Sequence, residues 1–212
     1  MSIRFDQLKI TLLDCSLNQC LAWQNALIFV DECEYLQNVT VENSTLEEFM
    51  KTSAGEAVEG IVCPANSFGL MDGGFDGAIT RFAETYYNKS IIPYVQNHII
   101  KQFDGEQPVG TSTVIDVPGF YYRLIHTPTM RRPMPIVDSE VVYQCTRSCI
   151  LAAMSNEIFN IVIPAFGGAT GQVPAYDIAK LMVRAMLTFV NHPSEYNWNY
   201  IYKKHPLEDI NC

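Results

Sequence analysis

The sequence predicts an α/β fold: a three-layer α/β/α sandwich around a mixed, mostly parallel sheet. Three observations predict it. Short apolar runs rich in β-branched residues alternate with stretches of helical periodicity, the pattern of repeated strand–helix units. Two of these runs, Ile61–Cys63 and Asn160–Pro164, each lead through a glycine-bearing turn into a helical pattern. A hydrophobic fraction of 48% supplies a sizeable core for a chain of 212 residues, a length that fits one domain with a C-terminal extension over 190–212.

The elements follow in order. Lys9 to Leu13 is a first strand ending at Asp14. Ser16 to Ala26 is a short helix carrying Leu17, Leu21 and Trp23, with Ser16 or Asp14 as its cap. Ala26 to Val30 (ALIFV) reads as a second strand, and Asp31 to Ser44 as polar loop. Thr45-Leu46-Glu47-Glu48 opens a helix with acid in its first turn, where the helix dipole favours it. Ile61-Val62-Cys63 is an inner strand, stopped by Pro64, which has no N–H for a sheet ladder.

After the loop Asn66–Gly69, Asp72-Gly73-Gly74 runs into a helix with Phe75, Ile79, Phe82 and Tyr86 at helical spacing. A further helix covers Ile91 to Phe103, with Pro93 near its start. Pro108–Val117 and Tyr121–Thr127 read as strands, and Asp138-Ser139 caps a helix that buries Val142, Cys145, Cys149 and Ala152. Asn160–Pro164 is the next inner strand. The loop Ala165–Pro174 leads from it into a helix with Ile178, Met182, Ala185 and Phe189 on one face. The polar, aromatic tail from His192 reads as a final strand packed on the sheet.

Composition excludes several functions. A net charge of −9 argues against a nucleic-acid surface, which needs a basic patch. No apolar run reaches membrane-spanning length, and the N-terminus lacks a secretory pattern. Seven cysteines, an odd number, read as reduced thiols in a cytosolic or nuclear setting. Cys145 and Cys149, four residues apart, lack the partners of a zinc site and read as small buried apolar residues. Neither a metal nor a cofactor is expected.

The stretch Gly60–Phe82, GIVCPANSFGLMDGGFDGAITRF, carries the chemistry. A glycine pair at a helix N-terminus brings bare backbone N–H groups to a ligand, and the dipole adds partial positive charge, so a phosphate is the expected guest. Parallel strands would bring the second loop, 165–174, to the same C-terminal sheet edge, where open α/β sheets bind ligands. Two helix-entry loops on one edge suit a diphosphate.

The run Ala65-Asn66-Ser67-Phe68-Gly69-Leu70-Met71-Asp72-Gly73-Gly74-Phe75-Asp76 resembles the macrodomain family, specifically a fungal and phage/bacterial macrodomain-like branch with the pattern ANSFG-hydrophobic-MDGG-hydrophobic-D. The segment Leu124–Arg131 (LIHTPTMR) and the Pro108-Val109-Gly110 turn resemble the same branch. The resemblance spans roughly residues 10–189 and implies an ADP-ribose-binding α/β/α fold.

It also implies roles. Asp14, at the end of the first strand, matches the acid that contacts the adenine amino group; it can equally cap the next helix. Asn66 matches the Asn that binds the distal ribose, and an amide that donates and accepts suits a sugar; closing the turn is its other reading. Asp76 matches the acid that orients or activates a water near the anomeric carbon; satisfying the helix dipole is its other reading. Ala65, Gly73, Gly74 and Phe75 fall in the first phosphate-side loop, where Asp72 replaces a usual glycine.

Gly167, Gly168, Ala169, Thr170, Gly171 and Gln172 match the second phosphate loop, with Gly168 and Ala169 where Thr and Gly are usual and Gln172 where Gly is usual. Ala169 is therefore expected to need φ > 0. His126 reads as a core histidine before an acid–base group. Arg131 and Arg132 read equally as phosphate ligands or as solvated charges.

The expected function is binding of ADP-ribose or an ADP-ribosylated substrate. Three activities fit: hydrolysis of ADP-ribose 1″-phosphate, cleavage of ADP-ribose from a modified protein, or non-catalytic reading. A structural macrodomain-like protein without nucleotide affinity is the remaining alternative.

Overall fold

A computed structural model of the chain describes residues 2–28, 36–190 and 195–204. Its sheet contains β1 (Lys9–Asp14), β2 (Val39–Asn43), β3 (Gly60–Cys63), β4 (Thr113–Ile115), β5 (Arg123–His126) and β6 (Asn160–Pro164), in the order β2-β1-β6-β3-β5-β4. Every neighbouring pair is parallel except β4–β5, so the sheet is mixed and mostly parallel.

Side chains of a strand alternate between faces, and here both faces are buried. Ile10, Leu12, Val62, Ile125, Ile161 and Ile163 enter one core, while Leu13, Ile61, Cys63, Leu124 and Val162 enter the other. The first core is covered by α1 (Leu17–Ile28), α6 (Glu140–Ser155) and α7 (Ala175–Leu187). The second is covered by α2 (Leu46–Phe49), α4 (Gly74–Tyr87) and α5 (Ile92–Phe103). The short α3 (Ser53–Glu56) precedes β3. The result is the expected α/β/α sandwich.

Local chemistry places these elements. Thr45 accepts the Glu48 N–H at 3.2 Å and Glu48 reaches back to the Thr45 N–H at 3.3 Å, a capping box that starts α2. Asn88 and Asp104 take left-handed conformations at the ends of α4 and α5. Cys145 and Cys149 are fully buried in α6, and burial pushes both thiols up in pKa. Their Sγ atoms lie near the Pro128 and Thr146 carbonyls, so they serve as packing residues.

Four expectations change. Ala26, Leu27 and Ile28 are the last turn of α1, not a strand; residues 29 and 30 lie outside the described residues. The apolar run ALIFV is equally compatible with a helix end, and α1 buries Gln19, Cys20 and Trp23 while Leu17 and Leu21 stay exposed. The second strand lies instead at Val39–Asn43, inside the stretch read as loop; its partly exposed edge position tolerates polar residues. The strand read over Pro108–Val117 shrinks to Thr113–Ile115. In the tail, α8 (Trp198–Lys204) replaces the expected strand, and residues 191–194 and 205–212 lie outside the described residues.

No described helix is long and apolar enough to cross a membrane.

Candidate functional site

Because β1, β3, β5 and β6 run parallel, the loops that follow them gather along one sheet edge. There they enclose a cleft of about 850 Å³. Asp14, Ala65, Asn66, Asp72, Gly73, Gly74, Phe75, Asp76, Gly167, Gly168, Ala169, Thr170 and Gly171 all line it; Gln172 does not. The topology thus brings together residues that lie far apart in the chain.

The loop after β3 is held by Asn66. Its Oδ1 accepts the N–H groups of Phe68 (3.1 Å) and Leu70 (3.3 Å), and its Nδ2 donates to the Leu70 carbonyl (2.8 Å). Most of this 7%-exposed amide is therefore engaged in closing the turn, with one Nδ2–H left over for a ligand. The Ser67 N–H donates to the Met130 carbonyl at 3.1 Å, tying this loop to the one after β5.

The same loop then starts α4. Gly74 has φ +56°, and a Cβ added there or at Gly73 would meet nothing within 4 Å, so the backbone itself faces open space. Gly73 at the N-cap has no side chain to cap the helix, which leaves the amides of Gly74, Phe75 and Asp76 without a protein acceptor among the described residues. These are donors for an anion.

Asp76 sits in that first turn and is 7% exposed, with its Oδ1 buried and unpartnered. Burial, with the nearby Asp72 charge adding to it, pushes its pKa up to about 8. The helix dipole acts in the opposite sense and is outweighed. At that value Asp76 is mostly protonated at neutral pH. Burial of the neighbouring Cys63, together with Asp76, likewise raises its thiol well above the ordinary value. Asp72 itself is exposed at the rim.

The second loop is closed by Val173 N–H to the Gly167 carbonyl (3.1 Å) and Gln172 N–H to Ala169 (3.2 Å). The amides of Ala169, Thr170 and Gly171 have no protein acceptor among the described residues. The expected positive φ at Ala169 is absent. It falls on Gly167 (φ +77°) and Gln172 (φ +56°), because the chain reverses at the two ends of the loop rather than at its middle. Gly171 is required by space: an added Cβ would lie 2.6 Å from the Gly167 carbonyl oxygen. Gly171→Ala is expected to destabilise the fold by about 1–3 kcal/mol and to weaken ligand binding, checked by chemical denaturation and titration.

At the far end, Asp14 accepts the Ser16 N–H at 2.8 Å, while its other oxygen makes no hydrogen bond among the described residues; the cap of α1 is Ser16, whose Oγ accepts the Gln19 N–H at 3.4 Å. Burial raises its pKa, with the Ser16 amide opposing. His126 lies outside the cleft lining: it is fully buried, its Nδ1 is 2.7 Å from Gln107 Oε1, and burial lowers its pKa to about 3. It is a core histidine, as expected. Arg131 pairs with Glu106 at 2.5 Å, and neither it nor Arg132 lines the cleft.

Sequence reasoning missed Arg81, Thr129, Met130 and the α2 start at Ser44–Glu47, all of which line the cleft. Arg81 had a signal: it falls one turn after Gly77 on the face of α4 that follows Gly74 and Ala78. Among the described residues no cluster of three or more His, Cys, Asp or Glu side chains is placed to hold a metal.

Comparison with known proteins agrees with this architecture. The family model described as "Macro domain" matches residues 62–182, a segment that holds both glycine loops but not Asp14. An uncharacterized protein from Aquifex aeolicus is 31% identical over 131 residues, covering 61% of this chain and 73% of its own. Among solved structures, an Oceanobacillus iheyensis macrodomain mutant is similar with a TM-score of 0.52, at 21% identity over 63% of this chain and 70% of that one. The macrodomain of Mycobacterium tuberculosis DarG gives a TM-score of 0.50, at 17% identity over 62% of this chain and 83% of that one. At these identities the two structures speak to the fold.

Proposed function

The chain belongs to the macrodomain family, and we propose that its cleft binds ADP-ribose and hydrolyses ADP-ribose 1″-phosphate to ADP-ribose. The observation that carries the reading is the pair of open amide rows, Gly74 to Asp76 and Ala169 to Gly171, lining one cleft with Asp14 at one end and Asn66 and Asp76 at the other. A diphosphate would satisfy both rows, and in this reading the adenine lies towards Asp14 and the distal ribose towards Asn66 and Asp76.

In the reaction, a water bonds to the anomeric carbon as the bond from that carbon to the phosphate oxygen breaks. Asp76, ionised, takes the water's proton and passes it to the departing phosphate. Its raised pKa means that the ionised fraction, and hence turnover, rises with pH through a midpoint of about 8 and levels off above it. The same chemistry applied to a protein ester releases ADP-ribose from a modified side chain. One observation favours a non-catalytic reader instead: burial raises the Asp76 pKa to about 8, so at neutral pH it is mostly protonated and is then no base.

The test is calorimetric titration with ADP-ribose, followed by phosphate release from ADP-ribose 1″-phosphate between pH 6 and 9. Micromolar binding, about −8 kcal/mol, with release that increases through pH 8 is the expected result. Binding without release at any pH selects the reader. No heat and no competition sinks the ligand assignment altogether.

A further inference from the structure

The charges lining the cleft are unbalanced. Asp14, Glu47, Asp72 and Asp76 contribute four carboxyl groups, and Arg81 is the one cation among the described lining residues. The carboxylates among them repel an entering diphosphate; Asp76, which holds its proton at neutral pH, does not add to that repulsion. Backbone amides carry only partial charge, so a full cation changes the balance more than another amide can.

Arg81 is placed to act. Side chains on a helix lean toward its N-terminus, and Arg81 does so here. Its Nη1 lies only 3.2 Å from where a Cβ on Gly77 would stand, and the same point is 3.4 Å from the Asp72 carbonyl oxygen. The guanidinium therefore lies back along α4 over Gly77, in the same cleft that Gly74, Phe75 and Asp76 line. Other arginines around the fold are engaged: Arg123 with Asp116, Arg131 with Glu106, and Arg184 with Glu140. Arg81 makes no ion pair or hydrogen bond among the described residues. Asp76, in the same turn, is nine-tenths buried with Oδ1 unpartnered, a second sign that this helix start is shaped for a guest. Gly77, a poor helix former inside α4, leaves room for the guanidinium, since a Cβ there would stand 3.2 Å from Nη1.

We propose that Arg81 is the side-chain counter-ion of the diphosphate, a ligand contact added to the two amide rows. The proposal rests on the ADP-ribose reading above.

The experiment titrates wild type, Arg81→Gln and Arg81→Lys with ADP-ribose, adenosine and inorganic pyrophosphate at low and high salt. Arg81 is exposed, so its replacement leaves the core intact. The expected result is a roughly 10- to 100-fold weaker Kd of Arg81→Gln for ADP-ribose and pyrophosphate, partial rescue by lysine, no change for adenosine, and a gap that narrows as salt screens it. Gly77→Ala, which displaces the guanidinium, is expected to weaken ADP-ribose in the same direction. Equal weakening of adenosine makes Arg81 a base-stacking residue and overturns the proposal; so does no change with any ligand. Wild type that binds pyrophosphate through Arg81 but not ADP-ribose overturns the ADP-ribose reading and keeps the anion contact. Wild type that binds neither overturns both.

Discussion

Asp76→Asn is expected to cut turnover sharply and, at the same time, to stabilise the protein. Burial raises the Asp76 pKa from 3.8 to about 8. The unfolded chain therefore releases this proton above pH 4 while the folded chain holds it, and stability falls as pH rises from about 4 to about 8. At pH 7 that gap amounts to about 4 kcal/mol, at about 1.4 kcal/mol per pKa unit. A buried asparagine amide lacking a full set of partners offsets about 1–2 kcal/mol of it. Thermal melts at pH 8 should place the variant roughly 5–10 °C above wild type, with the difference shrinking towards pH 4. Phosphate release should drop by roughly 10²- to 10⁴-fold, the usual worth of a general base. A melting difference that does not change with pH would mean that Asp76 is not the titrating group.

Asn66→Ala carries the second large effect. Three hydrogen bonds disappear at once, two of them to backbone amides of Phe68 and Leu70. At about 1 kcal/mol each, the fold should lose roughly 2–3 kcal/mol by urea denaturation, and ADP-ribose binding should fall below detection. The reason for the binding loss matters. If Asn66 acts through the turn, hydrogen exchange at the Phe68 and Leu70 amides accelerates in the variant without ligand. If those amides stay protected while binding disappears, the carboxamide acts on the sugar directly, and the closed turn owes its shape to the Ser67 tie to Met130.

The short continuous apolar runs of β3 and β6 and the 3.6-residue spacing of α4 and α7 were legible, because burial covers both faces of the inner strands and one face of each helix. The glycine loops were legible for a related reason: bare backbone at a helix start is visible as glycine. The end of α1 was not, since Ala26-Leu27-Ile28 satisfies both periods over so short a run, and β2 was hidden because an edge strand needs no continuous apolar run. The tail helix α8 was hidden by its aromatic residues, which favour strands and here lie on a helix, with Trp198 and Tyr202 exposed.

The sequence by itself determined the sandwich, its two loops and the residues that carry donors and carboxyls, all of which depend on local composition and spacing. Only the tertiary structure decided their state. Burial, a property of everything packed around a group, keeps Asp76 protonated and His126 neutral. Chain reversal moved the positive φ from Ala169 to Gln172. Packing of α2 against α4 brought Glu47 and Arg81 to one wall of the cleft, a juxtaposition across more than thirty residues that no local pattern encodes.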